Sequence, residues 1–188
     1  MTTRGLILPH HGVLPKVDQA LYIAPNATIV GDVEAGSGTS FWFGSVVRGD
    51  VNSVRIGSGT NVQDLSMLHV SFLRAALTIG DDVTIGHSCV LHGCTLGNRV
   101  LVGMGSILMD NVEVGDDVLI GAGSLLTEGM KVPAGHLVMG RPAVVKRPLK
   151  PQELAFLKRS AEHYRHVARS YLGGPWPYFD AKPLIDAS

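Results

Sequence analysis

Only two cysteines occur in the 188 residues, Cys89 and Cys94. That is too few for a disulfide framework, so both are expected to be packed thiols. Aromatic residues are also scarce, at 6%, although hydrophobic residues reach 45%. A core must therefore be built from small and aliphatic side chains. Charge of one sign is missing as well: Lys+Arg and Asp+Glu are both 16. A balanced chain gives no electrostatic case for nucleic acid or an anionic membrane as partner. No stretch approaches the roughly 18 uninterrupted apolar residues of a membrane span. Met1–Lys16 has no apolar run behind a basic start, so a cytoplasmic protein is expected. The length suits one domain with a sizeable core and a modest appendage.

Glycine is plentiful, at 23 residues, and much of it is periodic. From Ile79 an aliphatic residue recurs at six-residue spacing: Ile79, Ile85, Leu91, then Leu96, Val102, Leu108, Val114, Ile120, Leu126, Val132 and Val138. One unit, Leu91–Thr95, is five long. The following residue is often glycine, as at Gly80, Gly86, Gly97, Gly103, Gly115 and Gly121. Four positions after the aliphatic comes a small or β-branched residue: Val83, Cys89, Val100, Ser106, Val112, Val118, Ser124. A helix requires apolar spacings of three and four, and a half-buried strand requires two. A period of six fits a coil of three short strands joined by tight corners, about 18 residues per turn. Glycine at a corner relieves crowding and tolerates positive φ. The expected fold is thus a left-handed parallel β-helix of the hexapeptide-repeat type. An interrupted form of the pattern runs through Ile23, Ile29, Ala35, Phe41, Val47, Ile56, Val62 and Leu68. Its breaks at Val51–Arg55 and Val70–Thr78 are expected to be projecting loops.

The hexads stop after Gly140-Arg141-Pro142-Ala143. Over Gln152–Leu172 the apolar residues Leu154, Leu157, Ala161, Tyr164, Ala168 and Tyr171 take helical spacing, and Gly173-Gly174-Pro175 ends the run. One apolar helix face needs a surface, so residues 148–188 are expected to pack on the outside of the β-helix of residues 1–147. The segment 176–188 has no assignable pattern.

In a coil, equal phase means stacking. Leu68 and Leu91 each open the third hexad of a coil, so His69 and His92 should lie one above the other, about 4.8 Å apart. His87 follows Ile85 by two, one side of the triangle earlier. Five extended residues span up to roughly 17 Å. His87 should therefore not meet the stacked pair of its own chain around a zinc whose nitrogen ligands lie at about 2.0–2.1 Å. A ring of three identical chains, each lending His87 to the next, closes the set. It leaves a fourth zinc position for water. His10, His11, His163 and His166 have no such placement and are expected to face solvent.

Arg48-Gly49-Asp50, Asn61-Val62-Gln63-Asp64, Leu68-His69, Gly86-His87 and Leu91-His92-Gly93-Cys94 resemble the motif series of the γ-class carbonic anhydrases and their bacterial relatives. Gly103-Met104-Gly105-Ser106 and Gly140-Arg141-Pro142-Ala143 match those relatives too, and the resemblance runs from about Val13 to Tyr171. It implies a homotrimer with Zn2+, or alternatively Fe2+ or Co2+, held by His69 and His92 of one chain and His87 of the next. The implied activity is reversible hydration of carbon dioxide to bicarbonate by a metal-bound hydroxide. The family position of Gln63 is beside the reacting water. Arg48 and Asp64 resemble charges that pair across subunits, Asp50 belongs to the same cluster, and Tyr164 matches a helix tyrosine that reaches the site. The sequence departs where the prototype active enzyme of that family carries glutamates, one just after Asp50 and one in an acidic loop soon after His69. Val51 fills the first position, and Val70–Thr78 contains no acid. Two other readings remain open: a hexapeptide acyltransferase or acyl-CoA hydrolase working between chains, and a non-catalytic, metal-stabilised trimeric scaffold.

Overall fold

The computed structural model describes residues 5–175. The hexads wind into a parallel β-helix. On one face the strands Tyr22–Ile23, Ser40–Phe41, Asn61–Val62, Thr84–Ile85, Leu101–Val102, Leu119–Ile120 and His136–Gly140 stack in parallel. A second face stacks Met67–His69, Val90–His92, Ile107–Leu108 and Leu125–Leu126. A third stacks Leu77–Ile79, Thr95–Leu96, Glu113–Val114 and Lys131–Val132. The last coil is closed by Ala143–Pro148, which turns back antiparallel on His136–Gly140.

The hexad positions behave as their spacing requires. Ile85, Leu91, Val102, Leu108, Ile120 and Leu126 are fully buried, and so are the small residues Val83, Cys89, Ser106, Val112, Val118 and Ser124. Burying each larger aliphatic side chain contributes on the order of 1.5–3 kcal/mol. Both cysteines are buried thiols, and burial pushes their pKa values up. The glycine after each aliphatic is needed for space rather than for positive φ. A Cβ on Gly103 would lie 2.5 Å from the Ala122 backbone nitrogen and 2.6 Å from the Ile120 carbonyl oxygen. Positive φ falls further along the corner, at Asp82, Ser88, Arg99, Asn111 and Asp117. These include the short polar residues that tolerate it best.

The break at Val51–Arg55 is not a projecting loop. Val46–Ile56 is one strand that runs along two faces, pairing with Met67–His69 at its start and Leu77–Ile79 at its end. Opposite Thr28–Ala35 its register jumps from Gly31↔Gly49 to Val33↔Val54, so residues 50–53 face Asp32 alone. The extra residues are taken up as a bulge at the corner, where pairing resumes on the next face. The second break does project. Ser71 pairs with Ala75 across a tight turn that leaves Phe72 and Leu73 exposed, and Leu77–Ile79 is already strand.

The helix spans Pro151–Tyr171 and lies on the first face, against Tyr22–Ile23, Ser40–Phe41, Asn61–Val62 and Thr84–Ile85. Leu157, Ala161 and Ala168 are buried there, and Tyr164 and Val167 pack against the core. Proline in the first turn suits an N–H that needs no partner. The Glu153 carboxylate accepts from the Lys150 backbone N–H at 2.7 Å and from both Arg147 nitrogens at 2.8 Å. Ser160 meets Thr84 at 3.1 Å, tying the helix to the coil. Among the described residues no helix is long and apolar enough to cross a membrane. The unassigned segment 176–188 lies outside the described residues.

Candidate metal centre

Strand register places the first two histidines. Val90–His92 pairs with Met67–His69 so that His92 lies directly against His69. Their ring centroids are 5.0 Å apart, close to the spacing of neighbouring strands. Alternation along each strand turns Leu68 and Leu91 into the core and both imidazoles outward.

Each ring is held from behind by a carboxylate. His69 Nε2 lies 3.1 Å from Asp50 Oδ1, and His92 Nδ1 lies 2.6 Å from Asp110 Oδ1. Asp50 sits in the corner bulge, and bulges commonly re-aim a side chain in this way. It also accepts from Arg48, and Asp110 accepts from Ser71 at 2.6 Å. Burial works against ionising either acid. The bonds from Arg48 and His69 to Asp50, and from Ser71 and His92 to Asp110, outweigh it and hold both carboxyls below the usual range. Both acids are therefore acceptors near neutral pH. That assigns the N–H of His69 to Nε2 and the N–H of His92 to Nδ1.

The remaining nitrogens, His69 Nδ1 and His92 Nε2, are 3.0 Å apart. With both N–H groups turned to carboxylates, two lone pairs face each other, an arrangement that only a cation satisfies. A proton is disfavoured on His69, where burial above all, and then the charge of Arg48, push the pKa down against the pull of Asp50. Two ligands on a tetrahedral zinc lie about 3.3–3.4 Å apart. An opening of a few tenths of an ångström makes the pair a bidentate metal clamp, and the donor set fits the metal that the sequence implies.

His87 does not join them. It sits at the corner after Thr84–Ile85, with Nδ1 2.9 Å from Asp64 Oδ2. Among the described residues no group of three His, Cys, Asp or Glu side chains could hold a metal within one chain. Arg48 and Asp64 are likewise apart: Arg48 is bound to Asp50, and Asp64 to His87. Gln63 is buried on the His87 side and donates through Nε2 to Asn61 Oδ1 at 3.1 Å. Tyr164 shares a cleft with Asp64. Burial first, and then the Asp64 charge, push its phenol up to about 12. The candidate residues thus form two clusters, His69, His92, Arg48 and Asp50 in one, His87, Asp64, Gln63 and Tyr164 in the other.

Asp110 and Ser71 escaped the sequence reading. Asp110 could have been found by phase: Leu91 pairs with Leu108, so Asp110 falls beside Gly93. A Cβ on Gly93 would lie 2.5 Å from Asp110 Oδ1, so the glycine keeps the path to His92 open. Of the four histidines expected to face solvent, His11 and His166 are exposed. His10 and His163 are half-buried, and burial pushes the pKa of His163 down.

Known proteins resemble this chain over most of its length. Residues 93–128 match the family model for the bacterial transferase hexapeptide (six repeats), and residues 76–109 match that for the hexapeptide repeat of succinyl-transferase. The chain is 42% identical over 175 residues to "Gamma carbonic anhydrase 1, mitochondrial" of Arabidopsis thaliana, covering 90% of this chain and 62% of the relative's length. A protein named carbonic anhydrase from Geobacillus kaustophilus is 42% identical over 88% of this chain and 91% of its own. The crystal structure of a hexapeptide transferase family protein from Anaplasma phagocytophilum superposes with a TM-score of 0.82 at 44% identity, covering 88% of this chain and 98% of that one. The chain belongs to the γ-class carbonic anhydrase family of hexapeptide-repeat proteins.

Proposed function

We propose that the protein is a homotrimeric, metal-dependent carbonic anhydrase in which each metal is held by His69 and His92 of one chain and the partner subunit's His87. The observation that carries this reading is the facing pair of imidazole nitrogens, 3.0 Å apart, each ring fixed from behind by an ionised carboxylate. The pair supplies two ligands, and no third is at hand among the described residues of its own chain.

A bound Zn2+, or Fe2+ or Co2+ in its place, would activate a water for addition to carbon dioxide near neutral pH. The chain's own residues do the positioning. Asp50 and Asp110 fix the tautomers of His69 and His92, and Asp64 does the same for His87. The Gln63 N–H is engaged by Asn61, which leaves its amide oxygen as an oriented acceptor. Tyr164 keeps its proton at neutral pH and stands as a neutral donor beside Asp64. Arg48, bound to Asp50, and Asp64, bound to His87, would pair with each other across the subunit boundary while keeping these contacts.

The test is metal content and assembly measured together. Purified protein should hold one metal per chain as a trimer, and His69→Ala, His87→Ala and His92→Ala should each lose it. A metal-replete monomer, or His87→Ala retaining stoichiometric metal, defeats the shared site. Acyl transfer is the competing reading, favoured by the transferase family of the Anaplasma relative. It requires acyl-CoA turnover unaffected by chelation. A trimer that is metal-replete yet inactive on carbon dioxide leaves the scaffold reading.

A further inference from the structure

The turn that follows His69 is pinned at its base and bare at its tip. The Ser71 N–H donates to the Ala75 carbonyl at 2.9 Å, which closes residues 71–75 on themselves. From the bulge that carries Asp50, Asn52 Nδ2 donates to the Ser71 carbonyl at 3.1 Å. Ser71 Oγ donates to Asp110, and Arg74 pairs with Glu128 one coil further on. These ties hold the backbone and leave the two residues between them uncovered. Phe72 and Leu73 are 69% and 85% exposed. Leu73 also takes a φ of 51°, a conformation that L side chains rarely adopt, so local ease does not explain the shape of the tip. A fixed turn that holds two apolar side chains in water marks a contact surface.

Coil register says what stands opposite. His87 and His92 lie on one coil, following the successive strands Thr84–Ile85 and Val90–His92. In a ring of three whose axis runs along the β-helix, equal coils stand level. The partner subunit's His87 then arrives at the height of His92, as a shared site requires. The next coil carries Met104 on the His87 corner and Asp110 on the His92 face, since Val102 pairs with Ile85 and Leu108 with Leu91. Met104 adjoins His87 directly, because the Gly105 N–H donates to the His87 carbonyl at 2.8 Å. It is 60% exposed. Ser71 and His92 bind the two oxygens of Asp110, both at 2.6 Å, so the turn lies beside the histidine pair and level with Asp110. A chain that brings His87 to the pair therefore brings Met104 to the tip. A flexible thioether against an aromatic ring is a favourable apolar contact.

We infer that Phe72 of each chain docks on the partner subunit's Met104 and covers one side of the shared metal site. The inference rests on the shared-site reading and adds to it a grip between chains made by side chains other than the ligands.

The test begins with mass and metal content of the unmodified protein, which judge the shared site before any cysteine is introduced. The metal-loaded double variant Phe72→Cys/Met104→Cys is then treated with a short bis-maleimide, quenched and run under denaturing conditions. Covalent dimers and trimers should form. Each single variant should stay monomeric, as should Phe72→Cys combined with Lys131→Cys on the third face. Cys89 and Cys94 are buried and give no background. A metal-replete trimer whose double variant stays monomeric overturns the docking and leaves the metal reading standing. The second measurement is dilution of the intact trimer. Phe72→Ala should raise the protein concentration of half-dissociation several-fold, and adding Met104→Ala should raise it little further, because one contact is lost once. Fully additive losses would show that the two residues act apart, and would equally overturn the inference.

Discussion

At the residue scale, the carboxylates decide what the histidines can do. Asp110, hydrogen-bonded to His92 Nδ1, sets which nitrogen of that ring is free. Asp110→Asn keeps the shape but removes the charge and lets the amide donate as well as accept. Metal affinity should fall about 10- to 100-fold, read by competition with a chelator. Loss no larger than that of a remote surface change would mean that Asp110 serves the fold alone. Val51 makes the opposite point. It is 39% exposed, directly after Asp50, at the position where the family resemblance implies a proton-accepting glutamate. With no acid in the Val70–Thr78 loop either, protons must leave to buffer. Turnover of carbon dioxide should rise with imidazole buffer at fixed pH and ionic strength. Val51→Glu should raise it chiefly at low buffer, with little change in kcat/KM. High turnover that ignores buffer concentration would reveal another internal acceptor.

At the element scale, the hexads explain both what could be read from sequence and what could not. Phase is register in a coil, so the stacking of His69 on His92 and the separation of His87 were legible before any coordinates. Asp50 was visible only by resemblance. The bulge that aims it breaks the repeat, and a broken repeat reads as a loop even where the strand continues around a corner. The role of the glycines was half legible: crowding by the next coil is real, whereas positive φ belongs to other corner positions. Gly103→Ala should therefore destabilise by about 1–3 kcal/mol, since the new methyl meets backbone on the adjacent coil and not a movable side chain; denaturant unfolding checks it. The helix has its own signature. Arg147 and the Lys150 N–H hold Glu153 down to about 2. A carboxyl depressed in the folded state stabilises above its unfolded pKa of about 4.3 and loses that contribution as pH falls toward 2. Glu153→Gln should flatten the acid side of the stability profile in that window. An unchanged profile would show that the contact does not help hold the helix.

At the scale of the whole molecule, a metal shared between the two histidine clusters, as proposed, would make assembly part of the chemistry. A metal bound only by the trimer stabilises the trimer by mass action, roughly 2.7 kcal/mol per site when free metal is 100-fold above its Kd. Chelation should accordingly lower the thermal midpoint and make it depend more strongly on protein concentration. The sharper test uses two defective chains. His87→Ala retains the His69/His92 pair, and His69→Ala retains His87, so neither alone completes a site. Co-refolded at equal amounts, they should assort into rings of which about three quarters contain both chains. In every mixed ring, whichever chain is in excess, one boundary of the three joins an intact pair to an intact His87. Metal content should return to about a quarter of the wild-type value, with activity recovered in the same proportion. A site contained within one chain predicts no recovery at any mixing ratio. A boundary shared the other way round, with each chain lending its pair to two neighbours, predicts more than one complete site per mixed ring. The quarter is thus the value that a closed ring of three head-to-tail boundaries requires, and it follows from the separation of His87 from the His69/His92 pair along a single coil.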